Sequence, residues 1–132
     1  MTIIEKIKTI PKLFHATGCT EHQITEAQNE LGLTFPNEFV EYVKTFGVIS
    51  FFRTEWTGLN VDGHLNVLTV TKQERELNPS FPKGYFVLEN HAIEGIFTIA
   101  NESGQVYLLQ QNRIEFLCCS LADYLDICIA RK

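Results

Sequence analysis

The chain changes its hydrophobic period near residue 48. Before that point apolar residues recur at helical spacing, and after it they alternate or run in short blocks. Residues 2 to about 10 place Ile3, Ile7 and Ile10 on one face with Ile4 beside them, and Pro11 ends or bends the segment. Lys12 to Cys19 is predicted to be a connector with a turn at Gly18. Thr20 and Gln23 then fit the S/T-x-x-E/Q pattern, in which each side chain satisfies a free backbone N–H. They open a helix carrying Ile24, Ala27, Gln28 and Leu31 and stopped by Gly32. Leu33-Thr34-Phe35 is expected to be extended, because a residue before proline disfavours helix. Pro36 suits the first turn of a third helix, whose Phe39, Tyr42, Val43 and Phe46 form an i, i+3, i+4, i+7 stripe closed by Gly47. Helices this short are not stable alone, so both stripes require a partner surface.

The second half can supply it. Val48 to Phe52 is a short β-type run, and Trp56 to Gly63 is a turn-rich crossing. Leu65 to Val70 is predicted as a strand, and Thr71 to Glu74 as the cap of a short helix reaching about Leu77. Loop signals fill Asn78 to Gly84. Strands are expected at Tyr85–Leu88, Ile93–Ile99, Gln105–Gln110 and Arg113–Cys118. The last three are joined by turns at Asn101–Gly104 and Gln111-Asn112, and links so short require antiparallel neighbours. Ser120 with Asp123 marks a final helix with Leu121, Leu125, Cys128 and Ile129 as its buried stripe; Arg131 and Lys132 sit at its end, where positive charge suits the helix dipole. The predicted class is α+β: N-terminal helices and a C-terminal helix on a mostly antiparallel sheet of about five or six strands, in one domain spanning 1–132.

Composition narrows the function classes. Hydrophobic residues at 45% and charged residues at 20% are the balance of a soluble globular chain. A formal net charge of −5 disfavours direct nucleic-acid binding, which needs clustered Lys and Arg, and favours a basic partner. The charged start, MTIIEKIKTIPK, does not read as a secretory leader, and no stretch is long enough to span a membrane. A cytoplasmic location follows as the expectation. Cys118, Cys119 and Cys128 lie in apolar surroundings and read as buried free thiols, with Cys19 the fourth cysteine. No C-x-x-C pair or histidine cluster suggests a metal, and no Gly-rich phosphate cradle suggests a nucleotide, so no cofactor is expected.

The stretch Ile24-Thr25-Glu26-Ala27-Gln28-Asn29-Glu30-Leu31-Gly32, then Phe35-Pro36, then Phe39, Tyr42, Phe46 and Gly47, resembles the SUKH superfamily. That group includes the yeast cell-wall synthesis regulator and many bacterial immunity proteins. The terminal Ser-Leu-x-x-Tyr-Leu helix, Ser120 to Leu125, fits the same pattern. Gln28 stands where the family usually has Glu, and Phe46 precedes the glycine where a polar residue is common. The resemblance implies a non-catalytic, protein-binding domain. Many members are immunity proteins that neutralise a cognate polymorphic toxin, often a nuclease, by direct binding; others are regulatory or scaffolding modules with a non-toxin partner.

Candidate contact residues fall in two places. Arg53-Thr54-Glu55-Trp56 holds the only tryptophan, a residue type enriched at binding hot spots, flanked by the carboxylates of Glu55 and Asp62. Trp56 is expected either to pack on the sheet or to anchor a partner on an acidic patch that complements a basic toxin surface. Glu89-Asn90-His91 lies between two predicted strands, as a structural turn or as a contact on an exposed rim. The other histidines, His15, His22 and His64, are scattered without ligand or catalytic spacing, and Glu74 and Glu76 read as a solvated helix face.

Overall fold

The structure, a computed structural model, describes residues 1–93 and 95–131. The predicted α+β class is what the chain adopts. Five α-helices are described: α1 (Ile3–Lys8), α2 (Glu21–Leu31), α3 (Asn37–Phe46), α4 (Val67–Leu77) and α5 (Leu121–Ile129). The strands among the described residues form two antiparallel sheets. One has the order β1 (Phe14–His15), β2 (Ile49–Phe51), β3 (Thr54–Glu55). The other is a meander of β4 (Tyr85–Asn90), β5 (Ile96–Asn101), β6 (Val106–Gln110) and β7 (Arg113–Cys118).

Local chemistry sets the helix boundaries. Thr2 and Thr20 both make reciprocal capping boxes, with Glu5 and Gln23. Gly32 takes the left-handed conformation at the end of α2, and its N–H reaches Gln28. Gln28 has a second task. Its side-chain oxygen accepts from the Phe35 N–H at 2.8 Å, tying the extended 33–35 segment to the helix that precedes it. Any side-chain acceptor of that length could do this, so an amide in place of a carboxylate leaves the local structure intact.

The four-stranded sheet is covered on both faces. Phe86, Leu88, Ala100 and Val106 join the main core with the stripes of α1, α3 and α5. Phe35 and Phe39 close on Phe86, with ring centroids 5.0 and 4.7 Å away. The opposite face carries Val87, Phe97, Ile99 and Leu109 under Val70 of α4, with Phe81 packed alongside.

The region expected to be a strand at Leu65–Val70 is a 3₁₀ turn (Gly63–Leu65) followed by α4. The deciding residue is Asn66, whose side-chain oxygen accepts from the N–H groups of both Leu68 and Thr69. That cap lies five residues before Thr71, so the helix starts at Val67, and Val67, Val70 and Thr71 form its buried face. The connector at 12–19 also differs from expectation, because Phe14 and His15 pair with β2. The strand expected from Ile93 begins at Ile96, after a turn with positive φ at Ala92 and Gly95. Cys119 is exposed rather than buried, and Cys118 is half-buried, while Cys19 and Cys128 are buried as free thiols.

Two loops cross closely beside α3. A Cβ on Gly58 would lie 1.7 Å from the Gly47 carbonyl oxygen, so only glycine fits there. Tyr42, wholly buried, locks the crossing: its hydroxyl donates to the Thr57 carbonyl at 2.9 Å and accepts from the Ile49 N–H at 3.1 Å. Tyr42→Phe would leave two buried backbone groups without partners. The expected loss is about 2–3 kcal/mol of unfolding free energy, read as a lower urea midpoint with an unchanged denaturant slope.

Candidate functional site

Three depressions and a buried polar cluster meet at the sheet rim between β4 and β5. Strand β4 carries an irregularity between Val87 and Glu89: Val87 pairs with Ile99, but Glu89 already pairs with Thr98. In a regular strand Val87 and Glu89 would share a face. The extra residue turns Glu89 onto the α5 side instead, beside Leu88. Its carboxylate is therefore driven under α5, where it is 3% exposed.

A set of donors meets it there. Arg131, just past the end of α5, reaches Glu89 Oε2 at 2.7 Å and Thr54 Oγ1 at 3.1 Å, and its other nitrogen reaches the Tyr124 hydroxyl at 3.0 Å. The Tyr124 hydroxyl donates to Glu89 Oε1. Thr98 Oγ1 lies 2.8 Å from the same hydroxyl, and His91 Nε2 lies 2.7 Å from Thr98 Oγ1. A carboxylate paired with a guanidinium only accepts, so the donors run in one direction: His91 to Thr98, Thr98 to Tyr124, Tyr124 to Glu89. Trp56, with no exposed surface, stacks on Tyr124 at 6.0 Å and meets Tyr42 edge-on at 5.4 Å.

Burial tunes this cluster. It pushes the Tyr124 phenol well above the usual tyrosine range, and Cys128, once ionised, and the Glu89 carboxylate add to the shift by repelling a phenolate. It also pushes the Cys128 thiol up to about 11, which makes that cysteine an inert core residue. Burial holds His91 below its ordinary value of 6.5, while Glu89, 4.0 Å away, pulls in the opposite direction. The Trp56 indole N–H has no hydrogen-bond partner among the described residues.

Three depressions surround the rim. The first, about 320 Å³, is a largely apolar groove between α5 and the sheet. It is walled by Ile93, Ile96, Leu108, Leu117 and Ile127, with His91, Thr98, Tyr124 and Arg131 on its floor. A second, about 620 Å³, lies between the end of α4 and the β4–β5 turn, lined by Leu77, Asn78, Asn90, Ile93 and Gln111 among others. A third, about 160 Å³, brings Glu55 together with Asn90, His64 and Ala92. Ile93 is 61% exposed and borders the first two.

The sequence candidates are thus sorted by the fold. Glu55 and Asn90 are exposed and share one depression. Half-buried His91 faces the apolar groove. Asp62 is exposed but lines a separate polar depression with Gln23, Glu26, Asn60 and Asn66. Trp56 and Glu89 have almost no surface to offer: of the two readings for Trp56 the structure shows the packed one, and Glu89 is neither a turn residue nor a rim contact but an internal anchor on β4. Tyr124, Thr98, Arg131 and Ile93 were not foreseen as site residues. Arg131 was read only for its position at a helix end, and nothing in the spacing links residue 131 to residue 89.

The SUKH_5 family model, described as SMI1-KNR4 cell-wall, matches residues 1–129. The chain belongs to this SUKH family. No curated protein matches it. Among the described residues no helix is long and apolar enough to cross a membrane.

Removing Arg131 leaves a buried carboxylate without its cation. Arg131→Ala should therefore lower unfolding stability by about 2–4 kcal/mol, and adding Glu89→Gln should recover part of it, as measured by urea unfolding of both variants. His91 gives a pH signature. Because its folded value lies below its unfolded one, the unfolded state binds more protons as pH falls below about 6.5. Its contribution is complete above that value and is lost progressively below it. His91→Asn should flatten the stability–pH curve on the acidic side of 6.5, relative to the native chain.

Proposed function

We propose that this chain is an immunity protein that binds a toxin domain and blocks its active site or its approach to substrate, without catalysing a reaction itself. The observation that carries this reading is the family match across residues 1–129, since the SUKH family includes toxin immunity proteins. Surface character agrees with it. The polar groups that converge, around Glu89, spend their hydrogen bonds on one another and hold α5 to the sheet. Outward at the rim stand the apolar side chains of Ile93, Leu77 and Ile127, with Glu55, Asn90 and the edge of His91 nearby.

Such a surface suits a protein partner. An apolar projection between depressions supplies burial, and Glu55 together with the net charge of −5 favours a basic face. A toxin that acts on nucleic acid presents such a face to its substrate. The protein would act in the cytoplasm as one domain over 1–132, with no cofactor, no membrane attachment and no nucleic acid bound directly.

Co-expression with its cognate toxin should protect cells. Ile93→Asp and Glu55→Lys should each weaken toxin binding by about tenfold or more by titration calorimetry, with thermal unfolding unchanged. Trp56→Ala should instead lower the unfolding temperature. Unaltered binding by both rim variants would move the contact off the rim. A failure of co-expression to protect would favour the regulatory or scaffolding reading of the family.

A further inference from the structure

The two edges of the four-stranded sheet are treated differently. The β4 edge is covered. Thr57 N–H donates to the Leu88 carbonyl at 2.8 Å, Thr57 Oγ1 donates to the Val87 carbonyl at 2.8 Å, and the Val87 N–H donates to Thr71 Oγ1 at 3.0 Å. The β7 edge is open. Among the described residues no backbone group from Arg113 to Phe116 bonds anything beyond its ladder with β6, and all four residues are exposed. Ile114 and Phe116 stand 44% and 50% exposed on this strand. An open edge with exposed apolar side chains is a template for another strand.

The register shows which groups face outward. Gln110 and Arg113 pair across a two-residue turn, Leu108 pairs with Glu115, and Leu109 with Ile114. The pair that closes a two-residue hairpin is hydrogen-bonded, and such pairs alternate along an antiparallel ladder. Arg113 and Glu115 therefore turn their backbone groups toward β6, while those of Ile114 and Phe116 point out. Side chains divide the same way: Arg113 and Glu115 share the α5 face with Leu108, and Ile114 and Phe116 share the α4 face with Leu109 and Tyr107.

We propose that β7 pairs antiparallel with β7 of a second copy of this chain, about a two-fold axis at Ile114, extending the sheet across a homodimer. The strand is complementary to itself in this register alone among its close neighbours. With Ile114 opposite Ile114, Arg113 lies opposite Glu115 of the second copy, and the contact is repeated by symmetry. These are non-hydrogen-bonded pairs, whose Cα atoms come within about 4.5 Å, the closer of the two cross-strand spacings. Slipping by one step in one direction sets Glu115 against Glu115; slipping in the other sets Arg113 against Arg113. Registers between these would oppose outward-bonding residues to inward-bonding ones. On the α4 face, the two copies of Ile114 meet the two of Phe116 diagonally, beside Tyr107, which already contacts Phe116 at 5.4 Å. A generic foreign strand would find charges at alternate positions instead, which opposes pairing.

The proposal is independent of the partner named above and concerns a different surface from the β4–β5 rim. Its test is a charge swap read by sedimentation equilibrium in reducing buffer, so that exposed Cys119 forms no bridge. The native chain should be dimeric at micromolar concentration. Arg113→Glu and Glu115→Arg should each weaken dimerisation by about tenfold or more, since each sets like charges opposite one another twice. The double variant R113E/E115R, which restores opposite charges in the same register, should return the affinity to near that of the native chain. All four residues involved are exposed, and unchanged circular dichroism would confirm that the variants fold. A native chain that stays monomeric would overturn the proposal, as would a dimer that the single reversals leave intact or that the double reversal fails to rescue.

Discussion

A carboxylate removed from water must be given a cation and donors in return, and Glu89 is where this chain meets that demand. The irregularity in β4 is what creates it, by turning the side chain from the α4 face to the α5 face. Once there, Glu89 can be satisfied only if α5 lies at one distance and ends at one place, because Tyr124 must reach one oxygen and Arg131 the other. Arg131 in turn touches Thr54 of β3, so the same interaction sets the three-stranded sheet against the four-stranded one. An apolar side chain at 89 could bury as much surface and would tolerate several placements of α5. The ion pair tolerates few, and its contribution is better described as orientation than as net stabilisation.

The aromatic packing is built around that fixed point. Tyr124, held by Glu89 and Thr98, offers its ring to Trp56; Trp56 meets the edge of Tyr42; Tyr42 meets Phe39, and Phe39 meets Phe86 back on the sheet. Rings of this kind have few rotamers, so position is transmitted along the row with little slack. Both tyrosines also spend their hydroxyls on structure, Tyr42 on the backbone of two crossing loops and Tyr124 on the polar cluster. The consequence for function is that the interior is stiff beneath a rim whose outward residues make few such commitments. A contact surface on rigid support loses little conformational freedom on binding.

Much of the helical half was legible because helix caps are local. Thr20 with Gln23, Gly32 and Gly47 declare their roles within four residues of the places where they act. The hairpins of β5 to β7 were legible for the same reason. Leu65–Val70 misled because Leu65 and Val67 would fall on one face of a strand and Leu68 and Val70 on the other, whereas the decision belonged to a single asparagine side chain one residue ahead of the helix. The site was far less legible. Glu89 and Trp56 were singled out by residue type, which speaks to chemistry and not to depth. A one-residue irregularity sent Glu89 inward, and no pattern within β4 announces it. The link from Glu89 to Arg131 spans 42 positions and exists only after the sheet and α5 have met. Asn90 and Glu55 came together for a similar reason, through the approach of β3 to β4.

The two open surfaces differ in what they can recognise. The rim proposed as the partner contact offers apolar side chains and the Glu55 carboxylate among shallow depressions, features that would select by shape and charge and leave the backbone out of it. The β7 edge offers backbone groups first, and backbone groups do not discriminate between sequences. Discrimination there has to come from the side chains flanking the ladder, and Arg113 and Glu115 supply it by being each other's complement at a separation of two. A strand with two like charges at those positions would be protected against every copy of itself; a strand with none would be open to any other. The alternation found here closes the edge to most strands and leaves it open to its own.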